Sequence, residues 1–362
     1  MKEYTDEQYR ALYDEIQEID FAEIKLENEC EERVCSDLNL WDGRNTKFGY
    51  ADVSWSSSDP ASVATSGAVV CGGEKKIVTV TAHFSYQDYP DVSIDKEFVL
   101  TVLKGSGVRQ AADDKKFDRS GRMAVFVIGD STASPYPHSG ENNRFPQTGW
   151  AQYFDKFFKH DKAVAVDIAM SGRSAKSYMT EDNFKFFKGN IQKGDYLIVQ
   201  FGHNDSKAQD PNRYAPADGR IDEEGSYKNL MSVYINIAKE VGAVPIIATS
   251  VSRRKLSDES LEEYVSAAKE LGAELGVPVL DIYRRSNDWI NAVGLEEAKS
   301  IYKIIKPHDE RFMYNPEFLN SQFYECGDSD DTHLNIFGAD KVAGWVIDEI
   351  KEKVPELAEL IG

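Results

Sequence analysis

The sequence predicts an α/β chain built on a parallel sheet and preceded by a small all-β sandwich, on three observations. Between about residues 50 and 103, apolar residues alternate with polar ones at period two. From 123 onward, short apolar runs alternate with segments of helical spacing. Between these regions lies KGSGVRQAADDKKFDRSGR (104–122), polar and without apolar period. The expected division is therefore a helix in 1–21, a β-sandwich in 22–103, a linker in 104–122 and an α/β domain in 123–362.

Each element follows from its pattern. Residues 5–19 carry Tyr9, Leu12, Tyr13 and Ile16 at helical spacing among acidic residues, which predicts an amphipathic helix. Val53 and Trp55, then Val78, Val80, Ala82 and Phe84, then Phe98, Leu100 and Val102 predict half-buried strands. The turns between them hold SSSDP, SGA, GGEKK and DYPDVS. Roughly residues 22–103 resemble the bacterial immunoglobulin-like modules attached to carbohydrate-active enzymes, which implies a β-sandwich accessory domain, read as a packing or spacing element with no ligand site. Apolar runs at about 123–128, 163–168, 196–201, 244–249 and 277–282 predict parallel strands joined by helices. Ala339, Val342, Ala343, Val346, Ile347 and Ile350 mark one face of a last helix.

Composition narrows the function classes. With 362 residues, 41% hydrophobic and 29% charged, the chain can bury two cores. A net charge of −20 argues against nucleic acid and anionic membranes as partners. No apolar run approaches the roughly 18 residues of a membrane span, and MKEYTDEQYR lacks the apolar core of a signal peptide. The expected compartment is the cytoplasm, with secretion as the alternative had a leader been removed; self-association is left open. Of the four cysteines, Cys30 and Cys35 are close in sequence while Cys71 and Cys326 are isolated. They show no metal pattern, and buried thiols are expected, with a Cys30–Cys35 disulfide as the alternative.

The chemistry-bearing residues recur at the ends of the predicted parallel strands, where open α/β sheets place their ligands. The first strand runs into Gly129-Asp130-Ser131-Thr132, the second into Ser171-Gly172-Arg173-Ser174, the third into Gly202-His203-Asn204-Asp205, and Asp330-Asp331-Thr332-His333 lies beyond the fifth. Ser131 is the candidate nucleophile and His333 the base that takes its proton. Asp330 is the candidate partner of His333, with Asp331 as rival; the three-residue spacing better lets a carboxylate fold back onto the far ring nitrogen. The backbone N–H groups of Ser131 and Gly172 and the Asn204 amide are candidate oxyanion donors. Asp130 is read as holding the turn, His203 as a structural hydrogen-bonder and Asn335 as a helix N-cap. No histidine pair has zinc spacing and the glycines do not form a dinucleotide fingerprint, so no cofactor is expected.

On these four blocks, residues 123–353 resemble the SGNH (GDSL) hydrolases, named for Ser, Gly, Asn and His. GDSTAS, Thr148-Gly149-Trp150, SGRSAKSYM, QFGHNDSK, TSVSRR and DDTHLNIFGA resemble the rhamnogalacturonan acetylesterase branch. The resemblance implies a flavodoxin-like αβα sandwich and a metal-free serine esterase that removes acetyl groups from plant polysaccharides or their oligosaccharides. It also implies that Thr148-Gly149-Trp150 enters the first helix. Arg173, with Lys176, Arg253 and Arg254, is a candidate for pairing a galacturonate carboxylate, which would favour pectin over acetylated xylan; salt bridges on the sheet rim are the alternative. The segment 284–329 is longer than a simple connection. Of its Trp289, Tyr302, His308, Arg311, Phe312, Tyr314, Phe323 and Tyr324, at least half of the aromatics are expected in the core and the rest are available for sugar stacking. A non-catalytic carbohydrate-binding protein is the reading from another class, disfavoured by the intact set of Ser, Gly, Asn, Asp and His.

Overall fold

The computed structural model describes residues 4–25, 28, 30–32, 34, 37–69, 74–102, 119–140 and 142–362. Two compact units divide the chain, Met1–Arg109 and Gln110–Gly362. The linker expected at 104–122 lies outside the described residues as far as 118, and so do Cys35 and Cys71. Cys30 is half-buried and Cys326 exposed, so the expectation of buried thiols fails at Cys326.

In the first unit, Thr5 caps α1 (Asp6–Gln17). Its hydroxyl accepts from Gln8 N and the Gln8 side chain accepts from Thr5 N, which satisfies two donors at the helix start. Leu12 and Ile16 are buried, but Tyr13 is 46% exposed, so the stripe that meets the core is narrower than the sequence suggests. Strands β1 (Gly43–Thr46), β2 (Gly49–Ser57), β3 (Lys76–Ser85) and β4 (Ser93–Val102) form one antiparallel sheet in that order. The period-two residues Val53, Val78, Val80, Ala82, Phe84, Phe98, Leu100 and Val102 are all buried. The second facing sheet of a sandwich is not found among the described residues. Leu12, Ile16, Phe21 and Ile24 join the core on the apolar face, so a helix supplies cover that a second sheet would otherwise give.

The second unit is a three-layer α/β fold. Strands β5 (Met123–Gly129), β6 (Ala163–Asp167), β7 (Tyr196–Gln200), β8 (Val244–Ala248) and β9 (Val279–Leu280) lie parallel in the order β6-β5-β7-β8-β9. This is the flavodoxin-like order, with its switch between the first and third strands. Alternation divides each strand between two cores. Val125, Val127, Ile198 and Ile246 face a layer that includes α5 (Ile282–Ala298) and α6 (Ile336–Lys353). Phe126, Ile128, Leu197, Val199 and Ile247 face α2 (Asp182–Asn190), α3 (Tyr227–Val241) and α4 (Glu259–Leu275). All six residues predicted for the face of α6 are buried, and Asn335 caps it by accepting from Phe337 N and Gly338 N.

Two connections differ from expectation. No α-helix begins at Thr148-Gly149-Trp150; among the described residues the crossover from β5 to β6 holds only a 3-10 turn, Phe154–Phe157. Thr148 N donates to Leu334 O and Trp150 N to Thr132 O, which ties this segment to the strand of His333 and to the Ser131 turn. Asp330 and His333 lie not in a simple turn but on β11 (Asp328–Leu334), which pairs antiparallel with β10 (Tyr302–Ile305). Tyr302, Phe312 and Phe323 from this long insertion are fully buried and Trp289 and Tyr324 partly so, whereas Tyr314 is 63% exposed.

Candidate active site

Parallel strands all end on one edge of the sheet, so the turns after β5, β6 and β7 converge there. Asp130 joins them. Fully buried, its Oδ1 accepts from Thr132 N (2.9 Å), Thr132 Oγ1 (2.8 Å) and Gln200 Nε2 (3.1 Å), and its Oδ2 from His203 Nδ1 (3.1 Å). Burial alone would raise its pKa, but the His203 charge and these bonds outweigh it and hold the carboxyl below its usual range. Asp130 therefore shapes the Ser131 turn and ties it to the end of β7.

Tyr136 links the first block to the second: its hydroxyl donates to Ser131 O at 2.8 Å and lies 3.3 Å from Ser171 Oγ. Asn204 links the second to the third, donating from Nδ2 to Arg173 O at 3.0 Å. That bond uses one amide hydrogen and leaves the other for a ligand. Gly172 has φ +78°, a conformation that side chains rarely adopt, and a Cβ built there would meet no atom within 4 Å. The positive φ, and not a crowded neighbour, is what favours glycine there.

Asp205 is the outlier of the third block. Its Oδ1 accepts from Ala175 N at 2.9 Å while its Oδ2 is buried without a hydrogen-bond partner. Burial, reinforced by the nearby Asp130, pushes its pKa up to about 8, so it is a neutral acid at pH 7.

The fourth block is assembled by an irregularity in a hairpin. Lys303 pairs across the ladder with Asp330, but the preceding Tyr302 pairs with Leu334, so Asp331–His333 bulge from the strand. Within that bulge, Asp330 Oδ1 accepts from Thr332 N (2.8 Å) and His333 N (3.0 Å), and Oδ2 meets His333 Nδ1 at 2.6 Å. The imidazole thus presents Nε2 for proton transfer. Asp331 instead accepts from Arg254 Nε at 2.6 Å, so of the two candidate aspartates it is Asp330 that meets the imidazole. Burial would raise the Asp330 pKa, but the charges of His333 and Lys303 and its hydrogen bonds hold it well below the carboxylate range.

Segment 147–150 brings the Ser131 turn and the His333 strand to the same rim. Thr148 N donates to Leu334 O, Trp150 N to Thr132 O, and the Trp150 indole to Gln200 Oε1 at 2.6 Å. A Cβ on Gly149 would overlap the backbone of Ala133 and Ser134, so this approach requires glycine. The arrangement offers a hydroxyl, an imidazole oriented by a carboxylate, and three N–H groups from the first, second and third blocks. That is the donor set of an acyl-transfer site.

The four cations considered for a substrate carboxylate are all engaged within the protein. Arg173 Nε donates to Glu181 (2.8 Å), Lys176 Nζ to Pro211 O (2.6 Å), Arg253 to Asp258 (2.7 Å) and Arg254 to Asp331 and Leu295 O. The three arginines thus form salt bridges, while Lys176 donates to a backbone carbonyl. Sequence reasoning missed Gln200, Tyr136 and Lys303. Gln200 had a signal, being the one polar residue of YLIVQ; Lys303 had none.

A second chain of the same residue types lies on the first unit's sheet: Ser56 Oγ is 2.7 Å from His83 Nε2, and His83 Nδ1 is 2.8 Å from Asp95 Oδ1. Ser56 sits within β2, where successive N–H groups point to opposite edges of the strand and cannot converge on an oxyanion. It lacks what the turn after β5 supplies.

The family model described as GDSL-like lipase/acylhydrolase matches residues 127–302. The rhamnogalacturonan acetylesterase RhgT of Bacillus subtilis is 32% identical over 235 residues, covering 64% of this chain and 90% of that protein. The chain belongs to the GDSL-like lipase/acylhydrolase family. A rhamnogalacturonan acetylesterase of Emericella nidulans is 34% identical over 201 residues, 50% of this chain and 75% of that protein. A crystal structure of Axe2, an acetylxylan esterase from Geobacillus stearothermophilus, is 13% identical with a TM-score of 0.44, covering 63% of this chain and 94% of that one. Family membership and the strand order agree on the α/β hydrolytic unit. Among the described residues no helix is long and apolar enough to cross a membrane.

Proposed function

We propose that this protein is a serine esterase that removes O-acetyl groups from plant cell-wall oligosaccharides or polysaccharides of the rhamnogalacturonan type. The Asp330–His333 pair on the rim that also carries Ser131 is the observation on which the mechanism rests. Relatives named as rhamnogalacturonan acetylesterases support the substrate class.

Ser131 Oγ attacks the acetyl carbonyl carbon while His333 Nε2 takes the hydroxyl proton. The carbonyl oxygen becomes an oxyanion that receives hydrogen bonds from Ser131 N–H, Gly172 N–H and Asn204 Nδ2–H. Asp330 orients the imidazole and stabilises its cation. Collapse breaks the ester C–O bond, and His333 returns the proton to the departing sugar oxygen. Water then attacks the acetyl-Ser131 ester by the same proton path and releases acetate. No step needs a cofactor.

Acetylated xylan offers the same ester and is the second reading, strengthened by the internal pairing of the four cations once considered for a galacturonate carboxylate. Acetate release is measured from acetylated rhamnogalacturonan and acetylated xylan oligosaccharides, with wild type and Ser131→Ala in parallel. Preferential, Ser131-dependent release from the former is expected. Release from xylan alone moves the substrate, and release that survives in Ser131→Ala overturns the mechanism. A fluorophosphonate probe that fails to label Ser131 favours a non-catalytic binding protein.

A further inference from the structure

Lys303 is a buried cation on the back of the proposed base pair. It is 5% exposed, and its Nζ lies 3.2 Å from Asp330 Oδ2 and 3.1 Å from Asp328 Oδ2, with the Phe323 ring centroid at 5.4 Å. The oxygen it meets on Asp330 is the one that holds His333 Nδ1 at 2.6 Å. Cross-strand pairing of Lys303 with Asp330 sets this geometry through the backbone.

A carboxylate in contact with an imidazole favours the imidazolium, which cannot accept a proton from serine. An ammonium on the same carboxylate oxygen offsets part of that negative charge and draws the imidazole back to its neutral form. We propose that Lys303 is a positioning residue for the Asp330–His333 pair, fixing the carboxylate toward Nδ1 and keeping His333 neutral, and so competent as a base, at lower pH than Asp330 alone would allow. This inference rests on the reading of His333 as the base.

The other charged groups around the pair are placed differently. Asp328 and Asp331 share its strand, the first engaged by Lys303 and the second by Arg254 from the loop after β8. His138 borders segment 147–150 through Gln147 O, and burial lowers its pKa despite that bond. Asp130 and His203 pair with each other beneath the Ser131 turn. The first turn of α6, following His333, carries no acidic residue, and Asp340 further along is paired with Lys156. Among these groups, only Lys303 brings a cation to Asp330.

Two readouts on the full chain test the proposal: the acid limb of kcat/KM for 4-nitrophenyl acetate against pH, and the NMR titration of the His333 ring. Lys303→Met should move both midpoints upward by about one pH unit, and Lys303→Arg should leave them near wild type. Asp328→Asn removes the competing carboxylate and should move them downward by a few tenths of a unit. A folded Lys303→Met protein with unchanged midpoints overturns the proposal, as does a shift of the same sign in Lys303→Met and Asp328→Asn. If Lys303→Met does not fold, Asp328→Asn decides, and the absence of a downward shift is then the refuting result. Wild type without Ser131-dependent hydrolysis would instead remove the esterase reading, while the ring titration reports the field of Lys303 with or without activity.

Discussion

Replacing Asp130 with asparagine keeps the shape of the side chain and removes its charge, which isolates what the carboxylate does for the Ser131 turn. Oδ1 accepts from three donors and Oδ2 from a fourth, His203 Nδ1. An asparagine oxygen at the Oδ1 position keeps three bonds but loses their charge assistance, about 0.5–1 kcal/mol each. Its NH2 then faces the His203 N–H. The charge-assisted bond that Oδ2 accepts from His203 is then lost, about 1.5–3 kcal/mol. The expected loss is about 3–6 kcal/mol, a large part of a typical domain's stability. A urea transition followed by tryptophan fluorescence and residual activity should move down by about 1 M or more. Below that transition, kcat should fall at least about tenfold because the nucleophile's turn is no longer held. The sign of the pH dependence follows from the depressed pKa: ionised Asp130 stabilises the fold above the unfolded value of about 3.9, and this is lost as pH falls through the folded pKa. The gap between wild type and variant should therefore close below about pH 4. An unchanged midpoint and unchanged kcat at pH 7 would refute the assignment of Asp130 as the turn's anchor.

Asn204→Ala should lower kcat about 10²–10³-fold with KM little changed, as steady-state kinetics on an acetyl ester would record. The Asp330→Asn protein should lose several orders of magnitude in kcat while Asp331→Asn, which only releases Arg254, keeps most of it; equal losses would contradict the split between the two aspartates. For Asp205, the folded pKa of about 8 lies above the unfolded value, so its stabilising contribution is complete below pH 4 and is lost as pH rises through 8. Melting temperatures of wild type and Asp205→Asn should diverge in favour of the variant between pH 5 and 8, at up to about 1.4 kcal/mol per pH unit.

Strand placement and the four blocks were legible in the sequence because burial imprints a local period and a polar turn ends each apolar run. Val78 through Phe84 and Ala339 through Ile350 occupy the faces their spacing predicts. Ser131, Gly172 and Asn204 follow β5, β6 and β7, as a parallel sheet requires. Only the tertiary structure decided which charges meet. Arg254 takes Asp331 from 77 residues away and leaves Asp330 to His333; Lys303 reaches Asp330 through a register shift that no local pattern announces. The segment at Thr148–Trp150 is likewise placed by distant partners, Leu334 O and Thr132 O. A sequence encodes how each residue faces its own element, whereas partner choice among polar groups depends on distances that exist only once the elements have packed.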